Sequence, residues 1–424
     1  MFIHEHDNWT DFRWNNANIN DLQNRAMLRL GYLAGRMTAI GFDSRMAATV
    51  EAVTNDVVAS SEIEGVSLNS DEVRSSVARK FGVTLPKSKD STHYVDGIVE
   101  MMLDATHNHY VPLTSDRLFR WHTALFPNAI GLTVGAYRTA EMSVVSGMFG
   151  RERLHYRAPA PEAVPAEMDR FLEWFNSGNT SSFAMVRSAI AHLWFVSIHP
   201  FDDGNGRIGR AISDMVLAGL DGEGMHFYSL SRQILKDKSH YYRILEKTQR
   251  GDGDITEWLL WYLSAIIAAI EDSDVMLSQV LRKATFWNAH AQAPVSERQR
   301  LVLNTYLDGY DAKLTAKNWA KIAGVSRDTA LRDINALVGL GILEPTPGRV
   351  RDTPYSICYT RRDEADSPFR NIEVKTEGAA TYISAKYSDG QTCRDRLSAI
   401  DAKRLSDGEI SLPQLAYKYF AYLL

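Results

Sequence analysis

Residues 199–210 read His-Pro-Phe-Asp-Asp-Gly-Asn-Gly-Arg-Ile-Gly-Arg, and no other stretch limits what this chain can fold into as strongly. Val186, Ile190, Leu193 and Trp194 recur at helical spacing before it, and Ile208, Ile212, Met215 and Val216 do so after it. The spacing predicts two core helices joined by a tight loop, with Gly204-Asn205-Gly206 feeding the second helix. A helix start presents unpaired N–H groups and the positive end of the dipole, so it attracts anions. Gly204 and Gly206 let a phosphate approach the backbone, and successive N–H groups there form an anion nest. Arg207 and Arg210, three apart, can fork around phosphate oxygens. Asp203 offers a hard oxygen suited to a magnesium ion that bridges phosphates. His199, a few residues before the nest, is placed to take a proton from an attacking hydroxyl. Alone, His-Pro-Phe reads as a helix end and Gly-Asn-Gly as a turn. Together they point to phosphate chemistry.

The stretch resembles the signature loop of the Fic family: histidine, any residue, phenylalanine, any residue, acid, Gly-Asn-Gly-Arg, two residues, arginine. Every fixed position is filled. The resemblance extends over residues 45–265 and implies transfer of AMP from ATP to a Ser, Thr or Tyr hydroxyl of a target protein. It implies His199 as general base and Phe201 as the buried anchor of the loop. It also makes Asp203 the holder of Mg2+, with Gly204, Asn205, Gly206, Arg207 and Arg210 binding the ATP phosphates.

A second motif lies upstream. Met46, Val50, Val53 and Val57 form an apolar stripe on a helix expected over residues 43–64, capped by Asp43 or Ser44 and ended by Gly65. Glu64 lies two turns further along that face, where a carboxylate is costly unless something pairs with it. Ser60-Ser-Glu-Ile-Glu64-Gly65 resembles the inhibitory motif of Fic proteins, which implies that Glu64 pairs with Arg210 and blocks the productive pose of the γ-phosphate. The bland alternative is a helix end whose glutamate reaches solvent.

The rest of the chain supplies a frame. Trp9, Phe12 and Trp14 read as anchors for an N-terminal segment, followed by a helix through Leu28, Tyr32 and Met37. Helices are expected over 71–81, 94–110 and 115–126, with His107, His109 and His122 as surface or packing residues. Residues 133–160, with Arg138, Val144, Val145, Gly147, Gly150, Leu154, Tyr156 and Pro159, read as a β-hairpin with a glycine-bearing turn. By the resemblance this hairpin is a flap that holds the target segment as an added strand, with Val144 and Val145 facing it. Gly219 to Gly224 reads as a turn, residues 231–249 as one helix, and 254–270 as a long helix closing the domain. Relatives carry an aromatic near the nucleotide base at this place; Tyr242 is the first candidate and Tyr241 the second, with core packing equally open for either.

Residues 289–294 read as a linker. Beyond it, Leu314 to Ala323, Gly324-Val325-Ser326 and Arg327 to Leu340 read as helix, turn, helix, with Thr315 and Ser326 as caps. Residues 341–344 and 350–359 are expected as the two strands of a wing. This region resembles a winged-helix domain, with Arg327, Thr329 and Arg332 exposed on the second helix. Residues 295–360 hold nine basic and seven acidic residues. That balance is thin for binding DNA phosphates, so a packing or docking module is at least as good a reading. Strands around Ile372 and Val374 and around Tyr382 and Ile383, with a closing helix over 414–424, complete the chain.

The architecture expected is mainly α: an N-terminal helical region (1–110), a Fic-type helical core with a β-hairpin flap (111–288), a winged-helix-like domain (295–360) and a small mixed C-terminal region (361–424). Near-balanced charge, 47 basic against 52 acidic residues, gives no overall basic footprint for nucleic acid. Only two cysteines, Cys358 and Cys393, argue for a reducing compartment. No N-terminal signal pattern and no apolar run of membrane-spanning length occur, so a cytoplasmic protein without a membrane partner is expected. The function expected is a magnesium-dependent, ATP-using protein adenylyltransferase, able also to label itself and restrained by Glu64; the family resemblance leaves room for a homodimer. Rivals are removal of AMP, transfer of another nucleotidyl or phosphoryl group, and a DNA-bound regulator whose Fic domain senses nucleotide.

Overall fold

The apolar runs on either side of residues 199–210 become two helices that pack on each other at the centre of the N-terminal part of the chain. A computed structural model describes residues 1–38, 42–85, 88–147, 152–178, 184–220, 227–346, 353–359, 369–378, 380–387, 390–407 and 412–420. The chain divides into two compact units, Met1–Asp274 and Val275–Leu424.

The first unit begins with α1 (Asn16–Thr38), α2 (Phe42–Ile63), α3 (Ser70–Lys80), α4 (His93–His107) and α5 (Ser115–Leu125). Side-chain oxygens start three of these helices: Asn69 accepts from Asp71 and Glu72, Thr92 from Val95, and Thr114 from Arg117. A hairpin of β1 (Ser143–Ser146) and β2 (Arg153–Arg157) follows. Then come α6 (Val164–Asn176), α7 (Ala184–Ile198), α8 (Asn205–Ala218), α9 (Leu230–Lys236), α10 (Lys238–Gln249) and α11 (Thr256–Ala289). Every residue of α7 except Arg187 is buried, the pattern of a helix enclosed on all sides. Helix α8 lies against it closely, and a Cβ at Gly209 would stand 2.9 Å from Val196 Cγ1.

Several expectations shift. The first helix forms, but Leu28 and Tyr32 are 75% and 49% exposed, while Ile19, Ala26, Leu30, Leu33 and Met37 face inward. Trp9 fills the anchoring role, packing edge-on against Trp194 together with Phe12. Residues 231–249 form two helices, because Asp237 leaves helical geometry and its N–H turns back to the carbonyls of Gln233 and Ile234. Helix α11 runs through the predicted stop at 270 to Ala289, and the compact units divide within it rather than at residues 289–294. The proposed caps Asp43 and Ser44, the hairpin tip with Gly150, and residues 221–224 of the proposed turn lie outside the described residues or side chains.

In the second unit, α12 (Glu297–Leu307), α13 (Ala316–Ala323) and α14 (Arg327–Gly339) enclose Leu303, Trp319, Ile334 and Leu337. Thr315 and Ser326 cap α13 and α14 as expected, and Gly324 takes a left-handed φ of 64° between them. A short antiparallel pair follows, β3 (Leu343–Pro345) with β4 (Tyr355–Ile357); residues 350–352 and 360 lie outside the described residues. A separate small core around Phe369, Ile383, Leu397 and Tyr419 is built by β5 (Arg370–Glu377), β6 (Ala380–Lys386), β7 (Thr392–Arg396), α15 (Ala399–Ser406) and α16 (Leu412–Phe420). The first two strands and the closing helix were expected; β7 and α15 were not, and 421–424 lie outside the described residues.

The crossing of α4 and α5 depends on one small residue. A Cβ at Gly97 would stand 2.1 Å from the Ala124 carbonyl oxygen, and backbone cannot move aside as a side chain can. Gly97→Ala is expected to destabilise the first unit by roughly 1–3 kcal/mol or more, read as a lowered midpoint in urea denaturation.

Candidate active site

The loop between α7 and α8 is held by its own side chains and by neighbouring helices. Phe201 is fully buried, and its ring stacks on His122 at a centroid distance of 4.3 Å. Asn205, also buried, clamps the Phe201 peptide groups: its Oδ1 accepts from the Phe201 N–H at 2.9 Å and its Nδ2 donates to the Phe201 carbonyl at 2.8 Å. Both ends of the Asn205 amide are thus engaged within the loop. Asn205 braces the loop, whatever further contact its second N–H makes.

His122 is a loop-shaping residue that local sequence does not reveal. Its Nδ1 accepts from the Gly135 N–H at 3.1 Å, so its Nε2 carries the proton and donates to the Asp203 carbonyl at 3.1 Å. Arg138 does the same from the other side. Buried at the base of the hairpin, it donates from Nε to the His199 carbonyl at 2.7 Å and from a terminal nitrogen to the Pro159 carbonyl at 2.7 Å. Neither residue sits in a recognisable motif; only the chain's return brings them to the loop.

His199 is half-buried and has a φ of 53°, a left-handed conformation that a histidine adopts only when its surroundings impose it. Its Nδ1 lies 3.2 Å from the Val196 carbonyl and donates its N–H to that oxygen, which leaves Nε2 unprotonated as an acceptor. Burial first, and the Arg138 cation second, push its pKa down to about 4, against the pull of the Val196 carbonyl and of Glu64 and Asp203. The imidazole is therefore neutral at pH 7 and able to accept a proton.

Gly204, with φ of 82°, precedes α8 and brings no side chain to cap it. The first N–H groups of α8 have no partner within the helix. Asp203 is the exposed member of the loop, its side chain 61% accessible, with Oδ1 accepting from the Gly204 N–H at 2.5 Å. Arg207 is buried; it donates to the Tyr94 hydroxyl at 2.9 Å, lies over the Phe126 ring at 4.9 Å, and its Nε has no hydrogen-bond partner. Arg210 is 1% exposed, and its NH1 is likewise without a partner. Two buried guanidinium groups with unused donors at an uncapped helix start form a cradle that calls for an anion.

Glu64 fills part of that cradle. Helix α2 ends at Ile63, and Gly65 takes φ of 79°, with the Val66 N–H donating to the Ser61 carbonyl and the Gly65 N–H to that of Glu62. This glycine-based helix stop leaves Glu64 at the cap position. Its Oε1 accepts from Arg210 at 2.8 Å, and Arg210 also donates to the Ser60 hydroxyl at 2.9 Å and carbonyl at 2.8 Å. A Cβ on Gly206 would stand 2.2 Å from Glu64 Oε1, so the carboxylate lies directly against the α8 backbone. Burial disfavours the Arg210 charge, yet Glu64, with the neighbouring Tyr241 and Tyr242, raises the Arg210 pKa. Ser60 and Glu64 thus both bond Arg210, and Gly65 ends the helix. The α2 stripe is less apolar than expected: Val50 and Val57 are buried, but so are Thr54, Asp56, Ser60 and Ser61.

Of the two aromatic candidates, Tyr242 is exposed, with its hydroxyl donating to the Ile63 carbonyl at 3.4 Å. Tyr241 is a core residue, 2% exposed, its hydroxyl bonded to His192 Nε2 at 2.8 Å. Core packing wins there. Val144 and Val145 are 39% and 50% exposed on β1, whose only strand partner among the described residues is β2. Also among the described residues, no group of three or more His, Cys, Asp or Glu is arranged to hold a metal, and no helix is long and apolar enough to cross a membrane.

Comparison with known proteins meets this geometry. Residues 112–217, from α5 through the loop and most of α8, match the family profile described as "Fic/DOC family". The chain carries a Fic domain. Residues 2–83, which include α2 and Glu64, match a profile described as "Domain of unknown function (DUF4172)", upstream of the Fic domain. Curated relatives named "Protein adenylyltransferase Fic" occur in Nematostella vectensis, 28% identical over 33% of this chain and 30% of the relative, and in Drosophila melanogaster, 28% identical over 39% and 35%. The chain thus spans about a third of the length of the curated relatives it matches. Among solved structures, a Fic family protein from Desulfovibrio desulfuricans aligns with a TM-score of 0.46 at 19% identity, over 79% of this chain and 95% of that one. Fic-1 from C. elegans aligns with a TM-score of 0.44 at 19% identity, over 61% and 73%.

The lowered pKa values of His192 and His199 carry a stability consequence. Burial and the Arg210 cation hold His192 near pKa 3, and His199 stands near 4, both below the ordinary 6.5. Below pH 6.5 the unfolded chain takes up protons that the folded one refuses. Stability of the first unit is expected to be full above that pH and to fall as the pH is lowered from 6.5 toward 4, read by urea denaturation across that range.

Proposed function

We propose that the Fic domain transfers AMP from ATP to a hydroxyl side chain of a protein and that Glu64 restrains it. The observation that carries this reading is the cradle itself: buried Arg207 and Arg210 with unpaired donors around the uncapped start of α8, beside a neutral imidazole with a free nitrogen. ATP phosphates would rest on the α8 N-terminus and the two arginines. His199 Nε2 would take the proton of a Ser, Thr or Tyr hydroxyl, whose oxygen forms a bond to the α-phosphorus as the bond to pyrophosphate breaks. Such chemistry asks the protein mainly for position and charge stabilisation.

Asp203, exposed at the mouth of the loop, fits a magnesium ion held by one carboxylate and by substrate phosphates, the usual arrangement for this ion. Bound there, Mg2+ would neutralise phosphate charge. Tyr242, exposed beside the α2 terminus, is the candidate for contact with the base, and the free edge of β1 at Val144 and Val145 for contact with the target segment. Self-modification belongs to the same reading. Glu64 restrains the site because its carboxylate already occupies anion space at Gly206 and uses an Arg210 donor. In the second unit, α13, α14 and the β3–β4 pair support a winged-helix-like module; exposed Arg327 and Arg332 on α14 keep DNA as a partner to be tested.

Two substitutions test the reading. With ATP and Mg2+, Glu64→Gly is expected to yield a protein species heavier by one AMP, seen by intact-mass spectrometry, where the parent chain yields little. A phosphate-sized gain would instead assign phosphoryl transfer. Adding His199→Ala to that variant is expected to slow labelling by ~10²–10⁴-fold, with ATP affinity nearly unchanged by calorimetry. Labelling at the undiminished rate would remove His199 as the base.

A further inference from the structure

Helix α2 turns a polar face to the helices around it. Asp56, Ser60 and Glu64 recur every four residues and so lie along one side. Asp56 and Ser60 are 4% and 0% exposed. Helices normally bury an apolar stripe, since a buried polar group is costly unless bonded. Ser60 and Glu64 are accounted for by Arg210. Asp56 is not part of that site.

The Asp56 carboxylate reaches the beginning of α9. Its Oδ1 accepts from the Ser229 hydroxyl at 2.6 Å and from the Ser231 N–H at 3.2 Å. Oδ2 is buried with no hydrogen-bond partner. A carboxylate in the interior, held on one oxygen alone, is an expensive way to fill space; an apolar residue would pack there at lower cost. Ser229 also caps α9, accepting from the Arg232 N–H at 3.0 Å, so the contact is continuous with the helix start. Two residues beyond α9 begins α10, and its Tyr242 reaches the far end of α2 at Ile63. Apolar contacts such as those of Val50 and Val57 are non-directional, so they set the height of a helix along its axis less sharply than a directional bond. The Asp56 bonds are directional. Asp56 and Glu64 lie eight residues apart on a rigid helix, roughly 12 Å at 1.5 Å per residue, so fixing one fixes the height of the other.

We propose that Asp56 is the latch of the inhibitory helix, a positioning residue that pins α2 to α9 and thereby holds Glu64 over the start of α8. The inference rests on Glu64 being inhibitory. Releasing the latch lets Glu64 leave the cradle and raises the fraction of molecules able to accept a triphosphate, and apparent affinity rises with that fraction.

The test is an ATP titration by calorimetry, with Mg2+, on the full chain. Asp56→Ala is expected to bind ATP roughly 3–10-fold more tightly than the parent. Ser229→Ala, which removes one of the two bonds and spares the carboxylate, shifts affinity the same way by less. Asp56→Asn keeps an oxygen acceptor and restores affinity to within about twofold of the parent. In a Glu64→Gly background, Asp56→Ala and Ser229→Ala add nothing. Unchanged affinity in both single variants, or an equal gain in the Glu64→Gly background, overturns the latch. Should Glu64→Gly itself bind ATP no better than the parent, the inhibitory reading fails instead, and the two failures are told apart by that one measurement. If Asp56→Ala does not fold, the Ser229→Ala pair alone decides.

Discussion

The guanidinium of Arg210 is the group on which this arrangement turns. It is buried, so it must have an anion and bonded acceptors nearby, and it finds Glu64 and both oxygens of Ser60 on another helix. Breaking such a pair by removing one partner leaves an uncompensated buried charge, which is costly. Exchanging the carboxylate for a phosphate leaves the charge balanced. The same electrostatic demand explains why α2 docks where it does, and under the proposed function it is what a triphosphate would have to satisfy in its place.

That exchange needs a scaffold that does not move. Helix α7 supplies it through complete burial, and close approach at Gly209 keeps α8 against it. The loop between them is over-determined: the Asn205 clamp, the His122 stack and the Arg138 bonds all act on residues 199–201. Such support can hold His199 in a backbone conformation that costs free energy on its own. The result is an imidazole kept neutral and aimed by backbone, with the proton on the nitrogen facing the Val196 carbonyl.

Legibility followed the range of the interactions. The loop chemistry was readable because histidine, acid, glycines and arginines lie within one stretch, and the helix stop at Gly65 because its bonds span five residues. The face of α1 was misjudged, since Leu28 and Tyr32 fit a helical period yet point outward, and periodicity does not say which side meets the core. Tyr241 carried the right residue type for ligand contact but is a core residue with its hydroxyl on His192, and Asn205 braces Phe201. His122, Arg138 and Asp56 gave no local signal. Their partners lie far along the chain.

Local chemistry in the chain was enough to specify a tight loop entering a helix, the histidine beside it and a glutamate at a glycine-ended helix terminus, because those features depend on neighbours a few residues apart. Which donors stay unpaired, which aromatic reaches the site, and that Glu64 lies on the α8 backbone were left to the packing of distant segments. Burial removes water as the competing partner, and only the folded chain determines which polar groups lose it.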